Sequence, residues 1–377
     1  MIALCRKDRV VGVTKCVKLK RNTIYDVLKG LGIIAVVLGH CHPDMDVVRF
    51  VYGFHLAVFF FVAGLQFNDA KYASNPFLLL QNRVKSMWPS YFGYMTLFSL
   101  TGDLFYRLNL LSVSTTNGLN SLLDKIINNF FFSGSEIFGG GMWFVPMLLS
   151  GTIIFSVIVY VSAEYIKPYR LLVTVLLSCF TGVIGLIACN HGYQYRFYTH
   201  ISFLLIPIFL LGYLVSFFEK SVGNLLHWPI AGIAFGVFVY FTVGRDCLIN
   251  LASSRIVSVY LFYPITICGI YFVAWIAKML SAAKGLSKVF SFLGKYSFDI
   301  MALHFLIIKT IDFLYCMMIG DDPAKGAVFP CAYPGLWPIY VLASITVAPC
   351  IRIGINKVWA RIKCFFNRMS EGEKRKV

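Results

Sequence analysis

Apolar stretches of membrane-spanning length recur along the chain from residue 24 onward. A run of about 20 apolar residues is long enough to cross the roughly 30 Å hydrocarbon core of a bilayer as an α-helix. The stretches lie at residues 24–41, 50–67, 87–104, 142–162, 170–189, 198–218, 228–243, 257–279, 296–317 and 336–357. The pattern predicts an all-α integral membrane protein with about ten transmembrane helices.

The composition agrees with a lipid bilayer as the main partner of the chain. Hydrophobic residues make up 58% of the chain and charged residues 14%, whereas soluble domains average about 25% charged residues. The net charge of +17 does not indicate nucleic-acid binding, because the basic residues lie between apolar runs and do not form a patch or stripe. The 11 cysteines show no metal-ligand spacing, and His40 and His42 would point to different sides of a helix, so we expect no metal. We also expect no tightly bound cofactor.

The distribution of Lys and Arg predicts the orientation in the membrane. Cytoplasmic connections carry an excess of basic residues, and placing both termini in the cytoplasm puts most of the 34 Lys and Arg on that side. We therefore expect a basic cytoplasmic segment at 1–23, a polytopic membrane domain at 24–357 and a basic cytoplasmic tail at 358–377. The first segment lacks the apolar core of a secretory signal.

The connection at 105–141 is the longest on the opposite side of the membrane. Its apolar residues have the spacing of one helix face: Leu119, Leu122, Leu123, Ile126 and Ile127. This spacing predicts a short amphipathic helix that lies on the membrane surface. The pattern is equally consistent with a lid and with a simple surface helix.

The first apolar stretch contains two ionisable residues, Lys29 and His40. Eleven residues turn an α-helix by about three turns and advance it by about 16 Å, so both side chains lie on one face. Ionisable groups in a membrane segment are costly and usually face a protein interior or a water-filled cavity. Asp26 lies three residues before Lys29, and an Asp26–Lys29 ion pair is an alternative, purely structural role.

Two further apolar stretches each contain a histidine, His55 and His304. Both could face the same cavity as His40 if the helices pack accordingly. The alternative is that each histidine is bonded to a backbone carbonyl in the bundle interior. The sequence leaves both interpretations open.

The residues around Lys29 and His40 resemble a known family. RNTIYDVLKGLGIIAVVLGH followed by FHLAVFFFVAGL is similar to the first two helices of the membrane-bound acyltransferase-3 family, particularly its fucose and polysaccharide O-acetylase-like members. In that family a basic residue precedes an essential histidine with ten residues between them, as Lys29 precedes His40. QNRVKSMWPSY, GGGMWFVPMLL and KYSFDIMALHFLI resemble later segments. The family often has two arginines four residues apart in the first of these, whereas here Arg83 is followed at that distance by Met87.

The resemblance implies a membrane O-acyltransferase of a bacterial inner membrane. Such an enzyme transfers an acyl group, usually acetyl from the co-substrate acetyl-CoA, to a hydroxyl of a carbohydrate or glycolipid outside the cytoplasm. His40 would be the general base, with Lys29, Asp26, His55 and His304 in supporting roles. Neither the acceptor nor the oligomeric state follows from the resemblance.

Basic residues on the cytoplasmic side are candidates for binding the phosphates of acyl-CoA. These residues are Arg83, Lys85 and Lys71. The alternative is that they only determine the topology.

A loop on the opposite side, ACNHGYQYRFYTH at 188–200, contains candidates for acceptor binding: Tyr193, Tyr195 and Arg196. Aromatic faces and hydrogen-bond donors suit a sugar. Aromatic residues also form belts at membrane interfaces, which is the alternative.

A proton-coupled transporter of a small polar solute is the competing function. About ten helices with ionisable groups in the interior suit a carrier as well as an enzyme. Many carriers consist of two related halves with broken helices, and the sequence shows no such repeat.

Overall fold

The structure, a computed structural model, describes residues 23–112, 119–218, 222–256 and 259–374. The predicted N-terminal segment therefore lies outside the described residues except for Thr23. The helices are α1 (Thr23–Cys41), α2 (Met45–Tyr52), α3 (Ala57–Leu65), α4 (Asp69–Tyr72), α5 (Pro76–Arg107), α6 (Leu119–Phe130), α7 (Phe144–Tyr165), α8 (Arg170–Asn190), α9 (Thr199–Phe218), α10 (Trp228–Thr242), α11 (Phe262–Ala282), α12 (Lys284–Lys295), α13 (Ser297–Ile319), α14 (Pro323–Gly326) and α15 (Trp337–Lys374). Two short strands, β1 (Ile249–Asn250) and β2 (Arg255–Ile256), pair as an antiparallel hairpin.

The prediction of an all-α multi-pass membrane protein is confirmed. Within the described ranges, 8 helical segments are long and apolar enough to cross a membrane. They coincide with the predicted stretches except for the third and the seventh, which correspond to α5 and α10. Helix α5 has 32 residues but contains a polar, charged segment at 81–86. Helix α10 has 15 residues, about 22 Å, which is shorter than a bilayer core.

The predicted amphipathic helix is α6, and a buried polar cluster attaches it to α5. Glu136 accepts a hydrogen bond from Ser99 Oγ at 3.0 Å, and its carboxylate lies 3.1 Å from Lys125 Nζ. Asn129 Nδ2 on α6 donates to Ser99 Oγ at 2.9 Å. The apolar residues Leu123 and Ile127 of α6 remain exposed, as expected for a helix that rests on a membrane surface.

Helices α1 and α12 approach closely because two glycines face each other's backbone. A Cβ atom added at Gly294 would overlap the carbonyl oxygen of Asp26, and one at Gly30 would overlap that of Phe290. Any larger residue at either position would push the two helices apart. This close contact brings the end of α12, with Lys295, next to the turn of α1 that contains Lys29.

A fully buried ion pair on α13 holds the segment between α13 and α15 against α13. Lys309 Nζ donates to Asp312 Oδ2 at 2.8 Å and to the carbonyl oxygens of Gly326 and Val328, both at 2.6 Å. The hydroxyl of Tyr340 on α15 donates to the other oxygen of Asp312. Both charged side chains are 0% exposed, so their hydrogen-bond partners replace the water that they lose on folding.

Replacing Lys309 with Met is expected to destabilise the protein strongly. The substitution leaves the Asp312 carboxylate buried without its cation and leaves two carbonyl oxygens without a donor, a loss of about 3–5 kcal/mol. The measurement is the Tm of purified protein in detergent.

Lys325→Met is the matched control for this experiment. The Lys325–Asp321 ion pair lies in the same region, with a distance of 2.6 Å, but its lysine is 56% exposed. Exposed pairs contribute little, so the control should unfold at nearly the wild-type temperature. Equal Tm values for Lys309→Met and the wild type would show that the buried pair does not stabilise the fold.

Candidate active site

An elongated cavity of about 340 Å³ runs between the helices that contain Lys29 and His40. Its volume is within the range of about 300–1,000 Å³ typical of small-molecule sites. One end, here called the basic end, is lined by Lys29, Arg83 and Lys295. The other end, here called the histidine end, is lined by His40 and His55 together with Tyr52, Trp143 and Asn250. The wall between the two ends is mostly apolar.

The basic end combines cations from three different helices. Lys29 Nζ on α1 lies 2.8 Å from Asp26 Oδ1, so the ion pair considered from the sequence is present. Lys29 nevertheless contributes to the cavity wall, as do Arg83 of α5 and Lys295 at the end of α12. The arrangement suits a ligand with several negative charges, such as phosphate groups.

His40 lies on the cavity wall and contacts three neighbouring rings. Its imidazole stacks on His304 with a centroid distance of 5.3 Å and an interplanar angle of 29°. The ring of Phe305 lies 4.9 Å from it and that of Tyr52 6.4 Å. These contacts restrict the orientation of the imidazole while leaving it accessible from the cavity.

His55 lies in the turn that separates α2 from α3, so the second predicted stretch is not one continuous helix. The Nδ1 atom of His55 donates to the carbonyl oxygen of Val51 at 3.0 Å. A neutral imidazole with its proton on Nδ1 has an accepting Nε2. His55 therefore combines the two alternatives considered from the sequence, because it is bonded to the backbone and also lines the cavity.

His304 is completely buried behind His40. Its Nδ1 donates to the carbonyl oxygen of Met301 at 2.8 Å, and its Nε2 has no hydrogen-bond partner in the described part of the chain. It is not part of the cavity wall as the described residues define it. His304 thus contacts His40 from behind and does not contribute to the surface of the site.

A comparison with protein families identifies the type of protein. The family model for the acyltransferase-3 family, described as an acyltransferase domain, matches residues 22–353. The chain belongs to this acyltransferase family. No curated protein and no solved structure matches it. The match includes every residue of the cavity wall, and it supports a membrane acyltransferase over the transporter.

Not every residue predicted to bind the acyl-CoA donor lies at the cavity of the acyltransferase. Arg83 is on the wall, whereas Lys85 is exposed and Lys71 lies over the ring of Tyr72 at 5.2 Å. Lys295 was not among the predicted residues. Its sequence signal was its place at the start of KYSFDIMALHFLI, the segment singled out for His304.

The predicted acceptor loop of the acyltransferase lies beside the cavity and not on its wall. Tyr193 and Tyr195 are exposed to the surroundings, and Arg196 contacts Ser133 Oγ at 3.5 Å. The histidine end is instead lined by Trp143 and by the turn of the β1–β2 hairpin. Sequence reasoning missed this hairpin because two-residue strands have no detectable periodicity.

Proposed function

We propose that the chain is an O-acyltransferase of a bacterial inner membrane that moves an acetyl group from cytosolic acetyl-CoA to a sugar or glycan hydroxyl on the other side. The observation that carries the proposal is the single cavity between the basic end and His40. The positive-inside rule assigns the basic end to the cytoplasm. A donor from one side and an acceptor from the other can then meet without either of them crossing the membrane.

The charges of the cavity wall favour one orientation of the bound donor. The phosphates of CoA bind at the basic end, where Lys29, Arg83 and Lys295 supply cations. The pantetheine arm extends along the apolar wall toward His40, over the roughly 16 Å of helix rise that separates Lys29 from His40. The thioester then lies at the histidine end. Lys29 keeps its ion pair with Asp26, which holds the ammonium at the basic end of the cavity.

His40 acts as the general base in this mechanism. Its imidazole takes the proton of the acceptor hydroxyl, and the oxygen attacks the carbonyl carbon of the acetyl group. The carbon–sulfur bond breaks, and CoA leaves as a thiolate that takes the proton back from His40. The rings of His304 and Phe305 keep the imidazole oriented toward the acceptor hydroxyl. They support the reaction by this positioning.

Transfer across a sealed membrane tests the proposal. Purified protein is reconstituted in liposomes with labelled acetyl-CoA on the side of the basic end and a mixture of methyl glycosides on the other side. We expect labelled acetyl esters to form on the glycosides and free CoA to accumulate on the donor side. Protein-free liposomes are the control. A protein that binds no acetyl-CoA and releases no acetyl group would contradict the proposal and favour the transporter.

A further inference from the structure

The turn of the β1–β2 hairpin lines the histidine end of the cavity. Asn250, Leu251 and Ala252 all belong to the cavity wall. Leu251 is only 3% exposed and packs in the apolar core, whereas Ala252 is exposed. The turn therefore extends from the core to the outside at the place where an acceptor must enter.

Two contacts hold the hairpin in this position. His200 is 1% exposed, and its Nδ1 accepts the backbone N–H of Tyr195 at 3.2 Å. In the neutral ring the proton is then on Nε2, which donates to Ser254 Oγ at 2.9 Å. Arg49 on α2 lies 2.8 Å from Asp246, just before β1. The loop at 188–200 thus positions the hairpin and does not itself line the cavity.

The hairpin and two neighbouring segments supply polar and aromatic groups that suit a sugar ring. Asn250 Oδ1 accepts the backbone N–H of Ser253 at 3.3 Å, so its amide nitrogen is the group that can donate to a ligand. Trp143 offers an aromatic surface and packs against Tyr198 with a centroid distance of 4.7 Å. The hydroxyl of Tyr52 donates to a backbone carbonyl, so its oxygen can accept from a ligand hydroxyl.

The charges on the cavity wall are confined to the basic end. Lys29, Arg83 and Lys295 are all there, and the described residues of the wall at the histidine end include no Asp, Glu, Lys or Arg. A carboxylate or phosphate on the acceptor would lose its water here without gaining a cation, which is costly. A neutral ring with hydroxyl groups needs no cation and finds hydrogen-bonding and aromatic partners here.

We propose that Trp143, Asn250 and Tyr52 form an acceptor subsite for a neutral sugar ring and that the subsite excludes acidic sugars. This inference rests on the proposed acetyl transfer, because it names the acceptor of the same site. It makes Asn250 a determinant of specificity, although that residue lies about 210 positions after His40 in the sequence. The hydroxyl nearest to His40 is the one that receives the acetyl group.

The test compares pairs of acceptors that differ by a single carboxylate. Reconstituted full-length protein is given acetyl-CoA and the methyl glycosides of glucose, galactose or mannose, or the corresponding uronides. Acetylated products are measured by mass spectrometry, and acetyl-CoA hydrolysis is measured without acceptor. We expect the neutral glycosides to be modified preferentially. Asn250→Ala should raise the KM for them about tenfold through the lost hydrogen bond, a larger change than in the KM for acetyl-CoA, whose phosphates bind at the basic end.

Two further variants make the test specific. Asn250→Lys supplies the missing cation and should improve the use of the uronides relative to the neutral glycosides by about tenfold or more. Tyr193→Ala changes the exposed loop beside the cavity and should leave all acceptor constants unchanged. Elution of each variant at the wild-type position in size-exclusion chromatography shows that it is folded.

Each alternative result contradicts a different statement. If the wild type modified the uronides at least as fast as it modifies the neutral glycosides, the exclusion of acidic sugars would be overturned. An effect of Tyr193→Ala without an effect of Asn250→Ala would move the subsite to the loop at 188–200. Hydrolysis of acetyl-CoA with no glycoside modified would overturn the sugar subsite but leave acetyl-CoA as the donor. Neither hydrolysis nor transfer would overturn the proposed function together with the subsite.

Discussion

His40→Ala is expected to reduce acetyl transfer from acetyl-CoA by about 10²–10⁴-fold, the range that a positioned general base contributes. The variant lacks the group that takes the proton of the acceptor hydroxyl, whereas the cations of the basic end are unchanged. Insertion into the membrane and binding of acetyl-CoA should therefore persist. The measurement is the kcat for transfer in liposomes, together with donor binding by the same preparation.

His42→Ala is the matched control, because it removes the neighbouring imidazole. The ring of His42 packs against Trp337 with a centroid distance of 4.7 Å, and its Nδ1 accepts the backbone N–H of Asp44. It does not belong to the cavity wall as the described residues define it. Transfer by His42→Ala should stay close to the wild type. Retained activity in His40→Ala would remove this residue from the mechanism.

Charge reversal at the basic end is expected to weaken binding of acetyl-CoA much more than it affects the other steps of the reaction. Arg83→Glu replaces a cation on the cavity wall with a group that repels phosphate. Hydrogen bonds to charged groups contribute about 1.5–3 kcal/mol, so the KM for acetyl-CoA should rise by about tenfold to a hundredfold. With acetyl-pantetheine, which lacks the nucleotide and its phosphates, the variant should behave like the wild type. The ratio of the two effects measures the contribution of the phosphates.

Two companion variants define what the result means. Lys295→Glu should reproduce the effect of Arg83→Glu, because both residues line the same end of the cavity. Lys288→Glu reverses a charge on the exposed side of α12 and should leave the KM for acetyl-CoA unchanged. An unchanged KM in Arg83→Glu, or an equal rise with acetyl-pantetheine, would show that Arg83 does not bind the phosphates.

Much of the architecture follows from local sequence patterns. Apolar runs of membrane-spanning length predicted the helices, because every backbone polar group in a bilayer must find its partner within the segment. The three-turn separation of Lys29 and His40 also followed from the sequence, because residues on one helix keep a regular geometry. The ion pair of Asp26 with Lys29 and the helix α6 are likewise local features, and both are present.

The features that the sequence did not determine join residues far apart in the chain. Lys295 reaches the basic end because glycines let α1 and α12 approach backbone to backbone. Whether a histidine lines the cavity or lies behind it depends on helix packing, and this separates His55 from His304. Asn250 reaches the histidine end through contacts of its hairpin with distant elements.

The sequence by itself thus determined the helices, the family resemblance and the Lys29–His40 face, because these depend on local periodicity and spacing. Only the tertiary structure decided which side chains share the cavity, because that depends on how the helices pack against one another.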